Sequence, residues 1–359
     1  MRLATSALCA TVAVGMLAGC SGNGASTSSV PSAASADFRG GQGRLIPHWS
    51  KLASAIPESL RPAGSMPLHG RPAPLFMSTA GGIYVSEFYS TDIFAYTRGN
   101  TSNNPPTCTI PNVLYLNDVA ADARGNVIDP DGGSRTIQVF GGSGQCGKQI
   151  GNISDPYGQP ADASSMNVEN GTIAVANIFS TYQGGGTITL CTLKGGCSTN
   201  LVNSNMYEVI AVAMARNGDC WADSYDASGK AWLTYFQGCA GTGQSATGFN
   251  NTYAGGLDID KQGNLIAIDS YNNQVSVYSG CNPNCTLVSG PFTLNGEAIY
   301  GHLNRQSMSY ATADFQYGQI DVYDYDLNHH SFKYMYSFNN GLTASDEVDG
   351  VAYAPRSHE

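Results

Sequence analysis

Oxygen-bearing side chains return at roughly regular intervals in this chain: Asn117 with Asp118, Asp162, Glu208, Glu297, and Glu347 with Asp349. The pair Gly255-Gly256 occupies the corresponding place between Glu208 and Glu297. Gathered at one opening, such groups could supply the several oxygen ligands that a hard cation such as Ca²⁺ requires. Asn117, Asp118, Glu297 and Asp349 are the candidate ligands of Ca²⁺ or another divalent ion. The competing reading is structural: each carboxylate caps a strand or accepts loop N–H bonds, in a chain where acids are frequent.

Other chemistry is sparse. His302, two residues before Asn304, is the weak candidate for a catalytic base, set against an ordinary packed histidine. His329-His330 fall in a hairpin turn and read as a surface pair. Asp324-Tyr-Asp326-Leu-Asn328 starts like a calcium loop, but His329 stands where that loop needs glycine. The cysteines lack metal-ligand spacing, with no Cys-x-x-Cys and no histidine close by. After export they would meet an oxidising compartment, so disulfides are expected. Cys281 with Cys285 and Cys191 with Cys197 each bracket a turn, and Cys220 and Cys239 lie at the two ends of an antiparallel pair. Cys108 and Cys146 then pair by exclusion or stay free.

The elements that would carry these residues follow one repeat. Residues Gly255 to Cys281, GGLDIDKQGNLIAIDSYNNQVSVYSGC, read as three short strands broken by Gly-Asn and Asn-Asn turns. Asp118 to Phe140 and Ala211 to Phe236 repeat that layout, as do Asn170 to Leu190, Ile83 to Tyr96 and Met308 to Tyr323. The turn glycines Gly125, Gly171, Gly218 and Gly263 are spaced by about 46, 47 and 45 residues, the period of a four-stranded propeller blade. Six blades are predicted. Val348 to Ala354 reads as a lone first strand that closes the ring, with Leu75 to Ser78 as its rival for that place.

The N-terminus sets the address. Residues Met1 to Gly19 carry one charge, Arg2, then an apolar run ending in Leu17-Ala-Gly-Cys20. That layout is a secretory signal, and its last four residues resemble the box of bacterial lipoproteins, which implies lipidation at Cys20. Ser21 resembles the class sorted to the outer membrane. Residues 20–74 are rich in Ser, Gly and Pro and read as a tether, and residues 75–359 as the folded domain. That domain has 11 Lys and Arg against 25 Asp and Glu, a net charge of −14. Such a surface excludes a nucleic-acid binder, which needs cations for the phosphates.

The pattern Gly-Leu-x-x-Asp-x-x-Gly-Asn-Leu-x-x-x-Asp-x-x-Asn-Asn-x-Val-x-Val-Tyr over Gly256 to Tyr278 resembles NHL-type repeats. Leu116-Asn117-Asp118-Val119 followed by Gly125-Asn126 resembles the gluconolactonase/regucalcin superfamily of six-bladed propellers. The second resemblance implies a divalent ion in the channel, held by a Glu on a first-blade strand and by Asn and Asp residues on others. Asn117 matches one Asn; Asp349 stands in the Glu slot with a changed residue, and Gly255-Gly256 replaces a further ligand.

The expected protein is an all-β, six-bladed propeller of four-stranded antiparallel blades. It is monomeric, anchored in the bacterial cell envelope through an N-terminal lipid, and binds a protein or glycan partner. Tyr89, Tyr182, Tyr225 and Tyr271, after the second strands of several blades, are the aromatic contacts such a face would use. The alternative is a metal-dependent lactonase or esterase working in the channel.

Overall fold

The computed structural model describes residues 82–88, 90, 92–97, 104–111, 113, 117–141, 147–180, 185–304, 306–343 and 347–355. All fall within the second of two units in the chain, Gly64–Glu359. Cys20, the signal and tether, Leu75 to Ser78, Tyr89, Cys146 and Tyr182 lie outside the described residues.

Six four-stranded antiparallel sheets form the blades. Counting each from its innermost strand outward, blade 2 comprises Ala120–Ala121, Val127–Asp131, Thr136–Phe140 and Gln149–Ser154. Blade 3 comprises Gly158–Ser164, Ile173–Ser180, Thr187–Thr192 and Gly196–Leu201. Blade 4 comprises Glu208–Met214, Cys220–Tyr225, Ala231–Phe236 and Gln244–Ser245. Blade 5 comprises Leu257–Ile259, Leu265–Asp269, Gln274–Ser279 and Thr286–Thr293. Blade 6 comprises Ala298–Leu303, Ser309–Asp314, Gln319–Asp326 and Ser331–Phe338. Blade 1 takes its innermost strand, Val348–Ala354, from the C-terminal end and continues with Gly82–Glu87, Asp92–Thr97 and Cys108–Pro111.

The ring is closed by the C-terminal strand. Val348–Ala354 pairs antiparallel with Gly82–Glu87 and packs against the innermost strands of blades 6 and 2, so no inner edge is left open. Gly350 permits that fit. A Cβ there would lie 2.6 Å from the Val119 amide nitrogen and 2.7 Å from the Asp118 Cα, closer than real contacts come. Gly350→Ala is therefore expected to cost about 1–3 kcal/mol by overpacking, read as a lowered urea midpoint. An unchanged midpoint would show that the closing strand can shift aside.

The first hairpin turns show how local chemistry makes the blades. In Asp122-x-x-Gly125-Asn126 the Asp122 carboxylate accepts N–H bonds from Arg124 and Asn126, and Asp260 does the same for Gln262 and Asn264. Gly125, Gly218 and Gly263 take φ of +91°, +91° and +80°, a region that suits glycine.

Because neighbouring blades cover both faces of each sheet, every residue of the six innermost strands is at least half covered, and nearly all are buried. Ile128, Ile137, Ile153, Val168 and Ile173, for example, pack blade 2 on blade 3, each worth roughly 1.5–3 kcal/mol of burial. Disulfides join Cys191 to Cys197 and Cys281 to Cys285 between third and fourth strands, and Cys220 to Cys239 within blade 4. Cys108 is also disulfide-bonded; its expected partner, Cys146, is among the residues not described.

The outermost strands share a feature that the repeat pattern did not reveal. Pairing between third and fourth strands skips one residue at the same step in four blades: Ile150 in blade 2, Ser198 in blade 3, Val288 in blade 5 and Met335 in blade 6. A β-bulge of this kind turns the extra side chain outward and spoils the edge as a template for pairing. Ile150, Val288 and Met335 are accordingly 36%, 40% and 52% exposed.

Candidate functional site

The chemistry-bearing side chains of the inner strands meet in a buried network across the channel. Asp118, just before the innermost strand of blade 2, is fully buried and accepts a 2.8 Å bond from His302 Nε2. His302 belongs to the innermost strand of blade 6, so this contact reaches past blade 1. Its Nδ1 lies 3.6 Å from Asp258 Oδ2 in blade 5. Asp258 Oδ2 also accepts the Leu303 N–H at 2.7 Å, tying blade 5 to blade 6. Asp162, in blade 3, accepts the Val212 N–H of blade 4 at 2.7 Å. Donor atoms of Asp118, Asp162 and His302 lie within 4.8 Å of one another.

Protonation follows from this geometry. Burial works against a charge on His302, but the Asp118 carboxylate, with Asp258 behind it, outweighs burial and raises the imidazole to about 10. Burial, then the charge of Asp118, pushes Asp162 well above the usual carboxylate range, against the pull of His302 and the Val212 N–H. The network thus holds an imidazolium between Asp118 and Asp258, beside an Asp162 whose charged form is disfavoured. Tyr300 caps it from blade 6. It is 1% exposed and donates its hydroxyl to the Ile210 carbonyl at 3.0 Å; burial, Asp162, Asp118 and Asp349 all oppose its ionisation.

The donors do not fit the hard cation that the family resemblance implies. Asp118 Oδ1, Asp162 Oδ1 and the side-chain oxygen of Asn117 are buried without a hydrogen-bond partner among the described residues, and even with the buried Asp349 carboxylate they fall short of the six to eight oxygens that Ca²⁺ takes. While protonated, His302 has no lone pair to give a metal ion. It supplies the positive charge itself.

Of the residues singled out in the sequence, Asp118 and His302 come together, with Asn117 buried next to Asp118. Asp349 is 1% exposed on the closing strand and its charge reaches Tyr300, but it is not one of the three grouped donors. Glu297 is half-buried and outside the group. Asp162, already one of the recurring oxygen-bearing residues of the sequence, and Asp258 complete the network instead. Asp258 was hidden because it occupies the polar slot of an alternating strand, Leu257-Asp258-Ile259, where solvent exposure is the ordinary expectation.

Many of the remaining acids follow the structural reading. Acids ending the second strands bind their own loops: Asp269 accepts the Thr252 and Asn272 N–H groups, Asp314 those of Gln316 and Tyr317, and Asp131 that of Ser134. His330 is less exposed than a surface pair would be. Its side chain, 14% exposed, lies 3.1 Å from the Tyr325 hydroxyl and 3.5 Å from Asp260 of blade 5, whereas His329 is exposed.

The outer surface has a different distribution. Of the exposed large apolar side chains among the described residues, only Ile150 lies outside blades 5 and 6. Tyr271, Leu287, Val288, Met308, Tyr317, Tyr334 and Met335 all lie on those two blades. Tyr225, expected to be exposed, is 2% exposed because it packs beneath Tyr253.

No protein-family model matches the chain, and no curated protein matches its sequence. Solved structures do match. A chain from a nidogen/laminin complex has a TM-score of 0.59 at 12% identity, covering 76% of this chain and 98% of that one. The periplasmic gluconolactonase PpgL of Pseudomonas aeruginosa has a TM-score of 0.53 at 12% identity, covering 76% and 99%. A protein of unknown function from Bacteroides caccae has a TM-score of 0.52 at 12% identity, covering 77% and 99%. At these identities the likeness is one of fold, and the fold is an all-β six-bladed propeller.

Proposed function

We propose that this protein is a lipid-anchored, extracytoplasmic binding propeller whose working surface is the outside of blades 5 and 6. The observation that carries this reading is the concentration of exposed Tyr, Leu, Val and Met side chains there, in a chain otherwise rich in acid and amide. Val288 and Met335 protrude from equivalent bulges on adjacent outer strands, with Leu287 and Tyr334 beside them. Rigid rims of this kind suit recognition of another macromolecule. The likeness to a propeller from a nidogen/laminin complex agrees with partner binding, and the likeness to a gluconolactonase is the ground for the rival enzyme reading. Against the enzyme stands the channel, where His302 is engaged by Asp118 and Asp258, and Asp162 accepts a blade 4 N–H.

The test uses the full chain and its Cys20→Ser form. The first should fractionate with membranes and the second should be soluble. The soluble form should bind washed envelopes, and Val288→Ser with Met335→Ser should weaken that binding at least about tenfold, because truncating exposed anchors removes the centre of an interface. Hydrolysis of an aldonolactone that depends on added divalent metal would overturn the reading in favour of a lactonase.

A further inference from the structure

We propose that the loops of blade 5 form an aromatic ledge that stacks the flat face of a neutral, β-linked pyranose chain. The inference rests on the binding-module reading and assigns one class of ligand to it. Three tyrosines form a staircase from the interior to the surface. Tyr225, at the end of the second strand of blade 4, is buried and donates its hydroxyl to the Ala254 carbonyl at 3.3 Å. Tyr253 meets it edge-on, with ring centroids 5.8 Å apart and planes at 76°. Tyr271 lies flat on Tyr253, with centroids 4.7 Å apart and planes at 16°, and is 45% exposed. One face of Tyr271 is therefore held by protein and the other is offered to solvent.

The loops beneath are tied together. Asp269 Oδ2 accepts the Thr252 N–H at 2.7 Å, and Asp269 Oδ1 accepts the N–H groups of Tyr253 and Asn272 at 3.3 and 3.2 Å. The Asn272 amide donates to Thr252 Oγ1 at 3.0 Å. The ring is thus mounted before any ligand arrives, so little side-chain freedom is lost on binding. A sugar whose hydroxyls are equatorial presents a flat face of axial C–H groups, which packs on an aromatic ring by dispersion and by the ring's negative face.

Charge narrows the ligand further. The two loops, residues 249–254 and 269–274, contain no lysine or arginine, and their one acid is engaged by the loop N–H groups. Their remaining polar side chains are mainly amides and hydroxyls, which pair with sugar hydroxyls rather than with a phosphate or uronate. The corresponding hairpin of blade 6 presents Tyr317, 56% exposed, so a second platform lies on the neighbouring blade and an oligosaccharide fits better than a monosaccharide.

The experiment titrates the soluble Cys20→Ser chain with cellohexaose and chitohexaose, using oligogalacturonate as the anionic control. Calorimetry gives affinity, and saturation-transfer NMR reports which sugar protons lie on the protein. At least one neutral hexaose should bind through its axial C–H protons, with oligogalacturonate weaker. Tyr271→Ala should weaken binding at least about tenfold, while Tyr271→Phe, which keeps the ring face, should change it less than about twofold. No transfer to either neutral hexaose, or undiminished affinity in Tyr271→Ala, would overturn the proposal. Envelope binding by the same protein, still weakened at least about tenfold by Val288→Ser with Met335→Ser, would then leave the binding-module reading standing without a glycan.

Discussion

Replacing His302 with glutamine is expected to destabilise the propeller by roughly 3–5 kcal/mol, the cost of leaving a buried ion pair without one partner. Asp118 and Asp258 are both fully buried, and the imidazolium is the positive charge placed between them. In a domain of this size such a loss should lower the melting temperature by roughly 10 °C or more. The network also predicts coupling. Asp118→Asn in the His302→Gln background should cost much less than in the wild type, because the second change removes the charge that the first stranded. The effect should depend on pH. The His302 imidazole is held at about 10, so its contribution is complete below its ordinary value near 6.5 and disappears as pH rises toward 10. The cost of His302→Gln should shrink over that range. A cost below about 1 kcal/mol at pH 7 would mean that the network does not hold the channel together.

The second large effect is a stability that falls as pH rises from 5 to 8, the reverse of ordinary acid denaturation. Glu208, at the head of the innermost strand of blade 4, is 5% exposed, and burial raises its carboxyl from 4.5 to about 7. A group held more basic in the folded chain than in the unfolded one stabilises fully below its unfolded value. That stabilisation is lost as pH passes through the folded value. For Glu208 the swing is at most about 3 kcal/mol between roughly pH 4.5 and 7. Asp314, raised to about 6 by burial and then by the charge of Asp321, acts in the same direction, and so does Asp162. Urea midpoints measured from pH 5 to 8 should fall steadily, and Glu208→Gln should flatten the lower half of the curve. A midpoint that rises over this interval would contradict the burial argument.

Both expectations share a cause. The propeller sandwiches every sheet between two others, so polar residues of the inner strands have no water to face. They survive by pairing across the ring, as Asp118 does with His302 and Asp258 with Leu303, and where pairing is incomplete, as at Asp162, burial disfavours the charged form. Polar groups at the centre thus help to hold the blades together. On the reading proposed above, recognition falls to the rim and loops of blades 5 and 6, where bulges and a tyrosine stack hold apolar groups in water.

Much of the fold was legible in the sequence because its information is local. The Asp-x-x-Gly-Asn turns, the period of about 46 residues and the strand alternation are all written within single blades. The described disulfides join cysteines 6, 19 and 4 residues apart, so strand order alone suggested them. The unmatched first strand at Val348–Ala354 announced how the ring closes, because a blade lacking an inner strand needs one. The channel was legible only in part. Asp118 and His302 are 184 residues apart, and their meeting depends on how inner strands of separate blades are staggered about the axis, which no local pattern encodes. Alternation put Asp258 in the polar slot of its strand, and a place near the start of an innermost strand marked Glu297 as a channel residue. Packing on both faces buried the first, and the second lies outside the grouped donors. Which acids exist, and on which strand, was determined by the sequence. Which of them meet, and with what charge, was decided by the packing of blade against blade, because desolvation and cross-ring distance arise only when the ring is assembled.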